Sequence, residues 1–354
     1  MDDLITGVTG GYPEETPWPS EAWDSSEPPE GVNLEPLIET LFDEQGPLAV
    51  TQSMVIVHRG LIVAERYAGE LGSFIAEPVK VTAETPLLSW SMAKTMLVIC
   101  VGMLVESGQL DLDAPAPVEE WSTPGDPRGA ITLRDLLEMR DGLDFHEDYV
   151  DDAVSDVITM LFGEGKADMA HFTASRPLAV PPGTRFNYSS GTTNVIARIV
   201  GDALGGEHAM REFLAERLFG ALSMTSAVPT FDDAGTFVAS SFVHATARDF
   251  ARFGLMLCRG GKANGAQIVP ESWIDALRTP RSADAETGWL YSMQAWVVGD
   301  EFGTFWCSGY EGQRIMACPP KDLVVVRTGQ TPDDRAQDVQ DWVLSVVNAF
   351  PTLD

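Results

Sequence analysis

Ser91 and Lys94 form the residue pair in this sequence with the clearest capacity for covalent chemistry. They stand three positions apart in LLSWSMAKTMLVICVGMLVESGQLDL, residues 87–112. On a helix, residues at this spacing lie on nearly the same face, so the two side chains can touch. A serine hydroxyl needs a base to become a nucleophile, and a lysine is a base only when its amine is neutral. Desolvation by the apolar run that follows can lower the lysine pKa from its reference value of about 10.4.

The same spacing also fits an ordinary helix start below a buried apolar element. The chain has five lysines, and only Lys94 has a serine three positions before it. A catalytic interpretation therefore needs partner residues elsewhere in the chain.

Tyr188 is the first candidate partner. It lies in PPGTRFNYSSGTTN, residues 181–194, where Pro-Pro-Gly forces a turn just before a predicted helix. Polar side chains at such loops often point into a cleft. A phenol beside a lysine can accept a proton as tyrosinate or shuttle one as tyrosine. The alternative is a half-buried aromatic residue whose hydroxyl is satisfied by a structural hydrogen bond.

A glycine-flanked segment near the C-terminus is the second candidate partner. In FWCSGYEGQRIMACP, Gly309 and Gly312 allow the backbone to approach a ligand closely. An N–H group there could stabilise an oxyanion together with the N–H of Ser91. A β-bulge or hairpin explains the local pattern equally well.

Other chemistry-bearing residues form weaker patterns. The acid-rich loop LDFHEDYVDD lacks the alternating ligands and central glycine of a calcium loop. Its Asp144, His146 and Glu147 are candidates for substrate contact. Trp289 and Tyr291, in GWLYSMQAW with Trp296, are candidates to line a pocket, although strand aromatics are more often core residues. The five histidines are scattered without metal-ligand spacing, so no metal or organic cofactor is predicted.

Composition restricts the partners and the compartment. The chain carries 23 basic and 53 acidic residues, a formal net charge of −30. This balance argues against nucleic acid and anionic membranes, which bind clustered Lys and Arg. The N-terminus has no basic start or apolar core typical of a secretory signal, and the four cysteines are widely spaced, so a cytoplasmic protein is expected. The pattern makes no prediction of an oligomeric state.

Hydrophobic patterning predicts the elements that must position these residues. PLAVTQSMVIVHRGLIVAERYAGE indicates two strands joined by a tight turn at Arg59-Gly60, and a second strand-rich region lies near the C-terminus. The segments between them have helical spacing that ends at glycine. Met96–Val105 is apolar but too short to span a bilayer, and predicts a buried helix.

A fold follows from this order of elements. We expect an α+β architecture, with an antiparallel sheet built from both chain ends, flanking helices and an inserted helical lobe. Residues 35–95 and 284–354 would form the sheet lobe, and residues 96–283 the mainly helical lobe. A final helix in DDRAQDVQDWVLSVVNAF would cover the sheet. Residues 1–34 would form an acidic, Pro-rich arm that Trp18 and Trp23 could pin to the body.

The ordered motifs resemble the serine β-lactamase-like superfamily, which includes class C β-lactamases, DD-peptidases, esterases and 6-aminohexanoate-dimer hydrolases. The resemblance covers roughly residues 35–350 and includes Ser91-Met92-Ala93-Lys94, Tyr188-Ser189-Ser190 and Cys307-Ser308-Gly309. Flanking phrases such as ITLRDLLEMRDGLDFHEDY, TARDFARFGLMLCRGG and GQRIMACPPKDLVVVRTG look most like the 6-aminohexanoate-dimer hydrolase branch. The resemblance implies a β-lactamase/transpeptidase-like fold.

The resemblance also implies roles for individual residues. Ser91 would be the acylated nucleophile, Lys94 its base and Tyr188 the proton-transfer partner. The backbone N–H groups of Ser91 and Tyr310 would form the oxyanion hole. The remaining candidates for substrate contact at the second and third motifs are Ser190, Cys307, Ser308 and Gly309.

Two departures from the family pattern guide the functional prediction. The second motif ends in Ser190, whereas asparagine is common there, and the third begins with Cys307, whereas lysine or histidine is usual. With no cation expected at the third motif, an esterase or amidase acting on a small substrate is favoured over a β-lactamase or DD-peptidase. A catalytically silent binding protein of the same fold is the remaining alternative.

Overall fold

The chain folds into one large antiparallel sheet, several small sheets and helices on both sheet faces. Residues 8–14, 16–48, 50–72, 78–148 and 155–353 are described by this structure, which is a computed structural model. The strands are β1 (Thr51–His58), β2 (Leu61–Tyr67), β3 (Glu70–Leu71), β4 (Val79–Lys80), β5 (Leu87–Leu88), β6 (Val228–Pro229), β7 (Val243–Ala245), β8 (Lys262–Ala263), β9 (Ala266–Gln267), β10 (Ser282–Ala283), β11 (Leu290–Tyr291), β12 (Trp296–Val297), β13 (Phe305–Gly309), β14 (Gln313–Cys318) and β15 (Leu323–Gly329).

Most of the helices lie between the early and late strands of the chain. They are α1 (Glu35–Leu41), α2 (Met92–Glu106), α3 (Leu133–Leu137), α4 (Asp156–Phe162), α5 (Met169–Ala174), α6 (Ser190–Leu204), α7 (Glu207–Phe213), α8 (Ala247–Cys258), α9 (Glu271–Leu277) and α10 (Ala336–Ala349). A π-helical stretch, Leu214–Gly220, follows α7 directly.

Both chain ends contribute to the main sheet. Its strand order is β10-β11-β12-β13-β14-β15-β1-β2, and every neighbouring pair is antiparallel. Strands β1 and β2 meet through Arg59 and Gly60, whose φ angles of 53° and 76° suit a two-residue hairpin turn. The predicted α+β fold, with a sheet assembled from the two ends, is confirmed.

Alternation along the central strands distributes apolar side chains to both faces of the sheet. On β1, Val55 and Val57 join the core that contains α2 and α8, whereas Met54 and Ile56 join the core beneath α10. The predicted final helix therefore does cover the sheet. Strands buried on both faces read as continuous apolar runs, which explains the lack of alternation in TQSMVIVH.

Helix α2 runs through the centre of the protein. Lys94 and the apolar residues after it are buried along most of the helix, as predicted for Met96–Val105. Gly102 allows close packing, because a Cβ atom there would lie 2.6 Å from a Val269 methyl group. This burial removes water from the helix face that carries Lys94.

Helix α8 lies against the sheet, where it contacts β1, β14 and β15. The predicted boundaries include this helix in the helical lobe of residues 96–283, so its packing ties that segment to the sheet. Helices α3, α5 and α7 instead pack around α6. The lobe boundaries themselves remain a prediction.

Described residues of the N-terminal arm pack on the body. The Trp18 indole is 9% exposed and donates a 3.2 Å hydrogen bond to the Leu222 carbonyl. The Arg252 guanidinium donates to the Pro19 carbonyl at 2.9 Å and lies 5.5 Å from the Trp23 ring. Both tryptophans thus make the predicted contacts.

No helix among the described residues has both the length and the apolar character needed to cross a bilayer.

Candidate active site

Ser91 stands at the N-terminal boundary of α2, directly after a strained residue. Trp90 has a φ of 45°, a left-handed conformation that is unusual for a bulky residue. Ser91 makes no side-chain capping bond to its own helix. Its hydroxyl oxygen instead lies 2.9 Å from Lys94 Nζ, and it accepts a hydrogen bond from this amine when the amine is charged. The spacing in the sequence thus produces the expected side-chain contact at the mouth of α2.

Lys94 is held by contacts from three parts of the chain. Its side chain is 2% exposed, and Nζ lies 2.9 Å from Ser91 Oγ, 3.0 Å from Ser190 Oγ and 2.9 Å from the Ser240 carbonyl oxygen. Burial lowers the pKa of Lys94 to about 8, and the Glu147 carboxylate opposes this effect. An amine with this pKa is partly neutral near physiological pH and can accept the Ser91 proton.

Tyr188 lies just before α6, whose N-terminus is capped by the Ser189 hydroxyl. The Tyr188 hydroxyl lies close enough to the Ser91 side chain to interact with it, and the Tyr188 ring centroid is 4.9 Å from Lys94 Nζ. Burial and the nearby Glu147 carboxylate raise the pKa of Tyr188 above its ordinary value. Of the two forms left open by the sequence, the neutral phenol is therefore the one present at neutral pH.

The third motif approaches the nucleophile through its backbone. A Cβ atom at Gly309 would lie 2.4 Å from the Ser89 carbonyl oxygen, so only glycine permits this packing. Tyr310 follows in a short 3-10 turn and lines the cleft, with its ring 5.4 Å from that of Trp90. The residue expected to supply the second oxyanion donor is thus placed beside the Ser91 turn.

Cys307 and Ser308 point to opposite faces of β13, as successive strand residues must. Cys307 is 1% exposed and contacts the Thr95 side chain, away from the cleft lining. Burial raises the pKa of its thiol to about 12. Ser308 lines the cleft. Of these two candidates for substrate contact, Ser308 is therefore placed in the cleft and Cys307 is not.

A cation does lie beside the third motif, contrary to the expectation from the sequence. Arg314 on β14 is paired with Ser308 across the strands, and its Nη1 donates to Ser308 Oγ at 2.8 Å. The side chain is 1% exposed, and burial lowers its pKa to about 10, so it stays charged at neutral pH. Its Nε has no hydrogen-bond partner among the described residues. The neighbouring strand thus supplies the charge missing at Cys307.

Aromatic side chains form one wall of the cleft. Trp289 and Trp296 line it, and the Arg314 guanidinium carbon lies 5.7 Å from the Trp289 ring. Tyr291 is 1% exposed and sits behind this wall, 6.0 Å from the Tyr188 ring. Trp289 is therefore at the position predicted for it, whereas Tyr291 is a core residue that supports Tyr188.

The acid-rich loop contributes one residue to the cleft. Asp144 and His146 are exposed and do not line it, and the His146 ring bonds Asp156 at 3.0 Å. Glu147 does line the cleft, where it accepts hydrogen bonds from the Ser190 N–H at 2.7 Å and the Ser190 hydroxyl at 2.5 Å. Of the three loop candidates, only Glu147 reaches the site.

Together these groups form an open cleft of about 220 Å³. Its central lining residues are Ser91, Glu147, Tyr188, Trp289, Ser308 and Arg314. A hydroxyl in contact with a desolvated amine and a neutral phenol is suited to acyl transfer. Sequence reasoning missed Arg314. Its position within the apolar strand QRIMAC was a signal of function, because a buried charge without a structural partner is uncommon.

Comparison with known proteins shows the family of this chain. The Beta-lactamase family model matches residues 44–347. The chain belongs to the β-lactamase family. A 6-aminohexanoate-dimer hydrolase of Paenarthrobacter ureafaciens is 30% identical over 274 residues, covering 72% of this chain and 68% of the relative. The β-lactamase family assignment confirms the predicted resemblance and identifies the protein as a serine hydrolase of that superfamily.

Solved structures show the same β-lactamase fold. A Bacillus anthracis protein provisionally assigned as a 6-aminohexanoate-dimer hydrolase superposes with a TM-score of 0.73 at 22% identity, covering 97% of this chain and 91% of the other. A family VIII carboxylesterase has a TM-score of 0.67 at 16% identity, covering 91% and 99%. At these identities the likeness establishes the fold, and the substrate must be argued from the cleft.

Proposed function

We propose that this protein hydrolyses an ester or amide bond of a small substrate through an acyl-enzyme on Ser91. The observation that carries the proposal is the 2.9 Å contact between Ser91 Oγ and the buried Lys94 amine. Neutral Lys94 takes the hydroxyl proton as Ser91 Oγ attacks the substrate carbonyl carbon. The resulting oxyanion is held by the N–H groups of Ser91 and Tyr310, each well-placed donor contributing about 3 kcal/mol.

Collapse of the tetrahedral intermediate breaks the bond to the leaving group. The Tyr188 hydroxyl gives its proton to the departing oxygen or nitrogen, and the Lys94 ammonium restores that proton. Water then attacks the acyl-enzyme as the same pair accepts its proton, which releases the acid and regenerates Ser91. Each step uses neighbouring groups at the mouth of α2: Lys94 Nζ is hydrogen-bonded to Ser91 Oγ and lies 4.9 Å from the Tyr188 ring centroid.

We further propose that the preferred substrate carries a carboxylate that binds Arg314. Arg314 is a charged side chain in the cleft wall, and within the described residues its hydrogen-bond acceptors are neutral oxygens. A charge-assisted bond to a carboxylate would compensate its desolvation. A linear amide of an ω-amino acid, as in the substrate named for the Paenarthrobacter ureafaciens relative, has such a group.

A β-lactamase or DD-peptidase activity is the second candidate, and Arg314 is the observation that favours it. Penicillins and peptidoglycan peptides also carry a carboxylate. Ser190 occupies the position at which β-lactamases resembling this chain often have asparagine, so the side-chain amide contact to such substrates is replaced by a hydroxyl. This difference places the second candidate below the first.

Two measurements test the proposal. A fluorophosphonate probe followed by intact-mass measurement should add one adduct to the wild-type protein, and a folded protein that takes no label would contradict an acyl-enzyme. Turnover of p-nitrophenyl acyl esters, short ω-amino amides and nitrocefin should then be compared at one pH. Faster turnover of esters or ω-amino amides is expected, whereas dominant nitrocefin hydrolysis would favour the second candidate.

A further inference from the structure

Glu147 is linked to the nucleophile by a chain of hydrogen bonds. Its carboxylate accepts from the Ser190 hydroxyl at 2.5 Å, Ser190 Oγ lies 3.0 Å from Lys94 Nζ, and Nζ lies 2.9 Å from Ser91 Oγ. Ser190 and Lys94 are almost fully buried, so water does not compete for their hydrogen bonds. The direction in which each proton points along this chain can therefore be worked out from donor and acceptor capacity.

The proton of the Ser190 hydroxyl is assigned by its partners. A carboxylate only accepts hydrogen bonds, so the single O–H of Ser190 must donate to Glu147. Ser190 Oγ then offers only lone pairs to Lys94. A second bond, from the Ser190 N–H to the other Glu147 oxygen at 2.7 Å, keeps the carboxylate in this orientation.

The third Lys94 contact is also fixed in direction. The Ser240 carbonyl, 2.9 Å from Nζ, can only accept a hydrogen bond. When Lys94 is neutral it has two N–H groups and one lone pair. Ser190 and Ser240 take both N–H groups, so the lone pair is left facing Ser91.

We infer that Glu147 is a positioning residue, which fixes the Ser190 hydroxyl proton and thereby turns the lone pair of neutral Lys94 toward the Ser91 hydroxyl. The inference rests on the proposed function, because it assigns Glu147 a part in activating the same nucleophile. Without the carboxylate, the Ser190 hydroxyl is able to donate to Lys94 and draw its lone pair away from Ser91. Glu147 touches no reacting atom in this scheme.

Glu147 also acts on Lys94 through its charge. The carboxylate raises the pKa of Lys94 against the larger, opposite effect of burial. Among the described residues, the other titratable side chain that faces the amine is Tyr188, which stays neutral, and Arg314 lines the same cleft. Replacement by glutamine should therefore lower the Lys94 pKa and shift the acid limb of the pH–rate profile to lower pH.

A purely structural role has to be distinguished from this one. Glu147 accepts the N–H of Ser190 in the first turn of α6, so it also supports the N-terminus of that helix. Loss of a helix-end contact changes stability but leaves the pH profile unchanged. The pH profile and the rate of acylation are therefore the decisive readouts.

The experiment compares Glu147→Gln, Ser190→Ala and the double variant with the full-length wild type. Asp148→Asn is the matched control, since it makes the same chemical change at the next, exposed residue. Acylation by a neutral p-nitrophenyl ester should be followed by stopped flow from pH 6 to 10, and unfolding by thermal denaturation. Both single variants should acylate about 10- to 100-fold more slowly with little change in KM, as expected for a misdirected base. The control should behave as wild type.

The variants should differ in their pH profiles. Glu147→Gln should displace the acid limb to lower pH, whereas Ser190→Ala keeps the carboxylate and should displace it less. The double variant should lose little more rate than either single variant, because both changes break one chain of hydrogen bonds. The inference would be overturned if Glu147→Gln acylated at the wild-type rate and the acid limb of its pH–rate profile did not move, even if its unfolding temperature fell.

Failure of the inference can be distinguished from failure of the proposed function. If wild-type protein is labelled by fluorophosphonate at Ser91 but Glu147→Gln acylates normally, only the inference fails. If the wild type is not labelled, the proposed function fails as well. Should Glu147→Gln not fold, Ser190→Ala decides alone, since normal acylation in that variant would also overturn the inference.

Discussion

Arg314 Nη1 lies 2.8 Å from Ser308 Oγ, across the antiparallel pair formed by β14 and β13. The pair places a charged donor and a hydroxyl side by side in the wall of the cleft that contains Ser91. The guanidinium is buried, and its described acceptors are neutral oxygens. A carboxylate on the substrate would complete its hydrogen bonding. We therefore expect Arg314 to determine how strongly the protein prefers negatively charged substrates over neutral ones.

Arg314→Gln should therefore reduce selectivity for anionic substrates. We expect kcat/KM to fall about 10- to 100-fold for an ester that carries a carboxylate, in line with one charge-assisted hydrogen bond. The matched neutral ester should change by no more than about twofold. Steady-state kinetics on the two esters measure this difference, and an equal loss on both would indicate a structural role for Arg314.

The contrast between Lys94 and Arg314 shows how much of the site could be predicted from the sequence. Ser91 and Lys94 share a helix face, so their contact depends only on local spacing. Arg314 reaches Ser308 through strand register, which is set by the turn at Tyr310–Gly312 and by pairing with β15. Local pattern does not determine register, and for that reason no cation was predicted from the sequence at the third motif, where Arg314 in fact lies.

The acidic loop shows a second limit of sequence reasoning. Asp144, His146 and Glu147 are close in sequence and all titratable, but of these three only Glu147 lies in the cleft. His146 is held away from it by Asp156, ten residues later in the chain. The fold itself was more predictable, because long apolar strands and helices with 3.6-residue periodicity determine which layers can form.

Ser91→Ala should abolish covalent labelling and leave the fold intact. Ser91 makes no capping bond to α2, so its removal costs the helix little. We expect no adduct with a fluorophosphonate probe and a change in unfolding temperature of no more than about 2 °C. Intact-mass measurement and thermal denaturation of the same sample test both parts. Labelling of the variant at another residue would show that the nucleophile is not Ser91.

The rate of acylation should depend on pH through Lys94. Its pKa is about 8, and only the neutral amine accepts the Ser91 proton, so the rate should rise with pH and level off above about pH 8. Below that value it should fall about tenfold per pH unit. Burial raises the Tyr188 pKa, so this phenol should cause no falling limb below about pH 10.

A neutral ester with no ionisable group should be used for this profile, after subtraction of spontaneous hydrolysis. The substrate then contributes no titration of its own. A rate independent of pH between 6 and 9 would contradict the assignment of Lys94 as the base.

Gly309→Ala should disturb the nucleophile without altering any catalytic side chain. The added Cβ atom would lie 2.4 Å from the Ser89 carbonyl oxygen, which must move and displace the turn that carries Ser91. A displacement of about 1 Å at this turn is expected to lower kcat/KM about 100-fold. Gly201→Ala is the matched control, because a Cβ atom there meets no neighbour within 4 Å and α6 gains a better helix former. Kinetics and thermal unfolding of both variants provide the test, and wild-type activity in Gly309→Ala would show that the two backbones can separate without affecting Ser91.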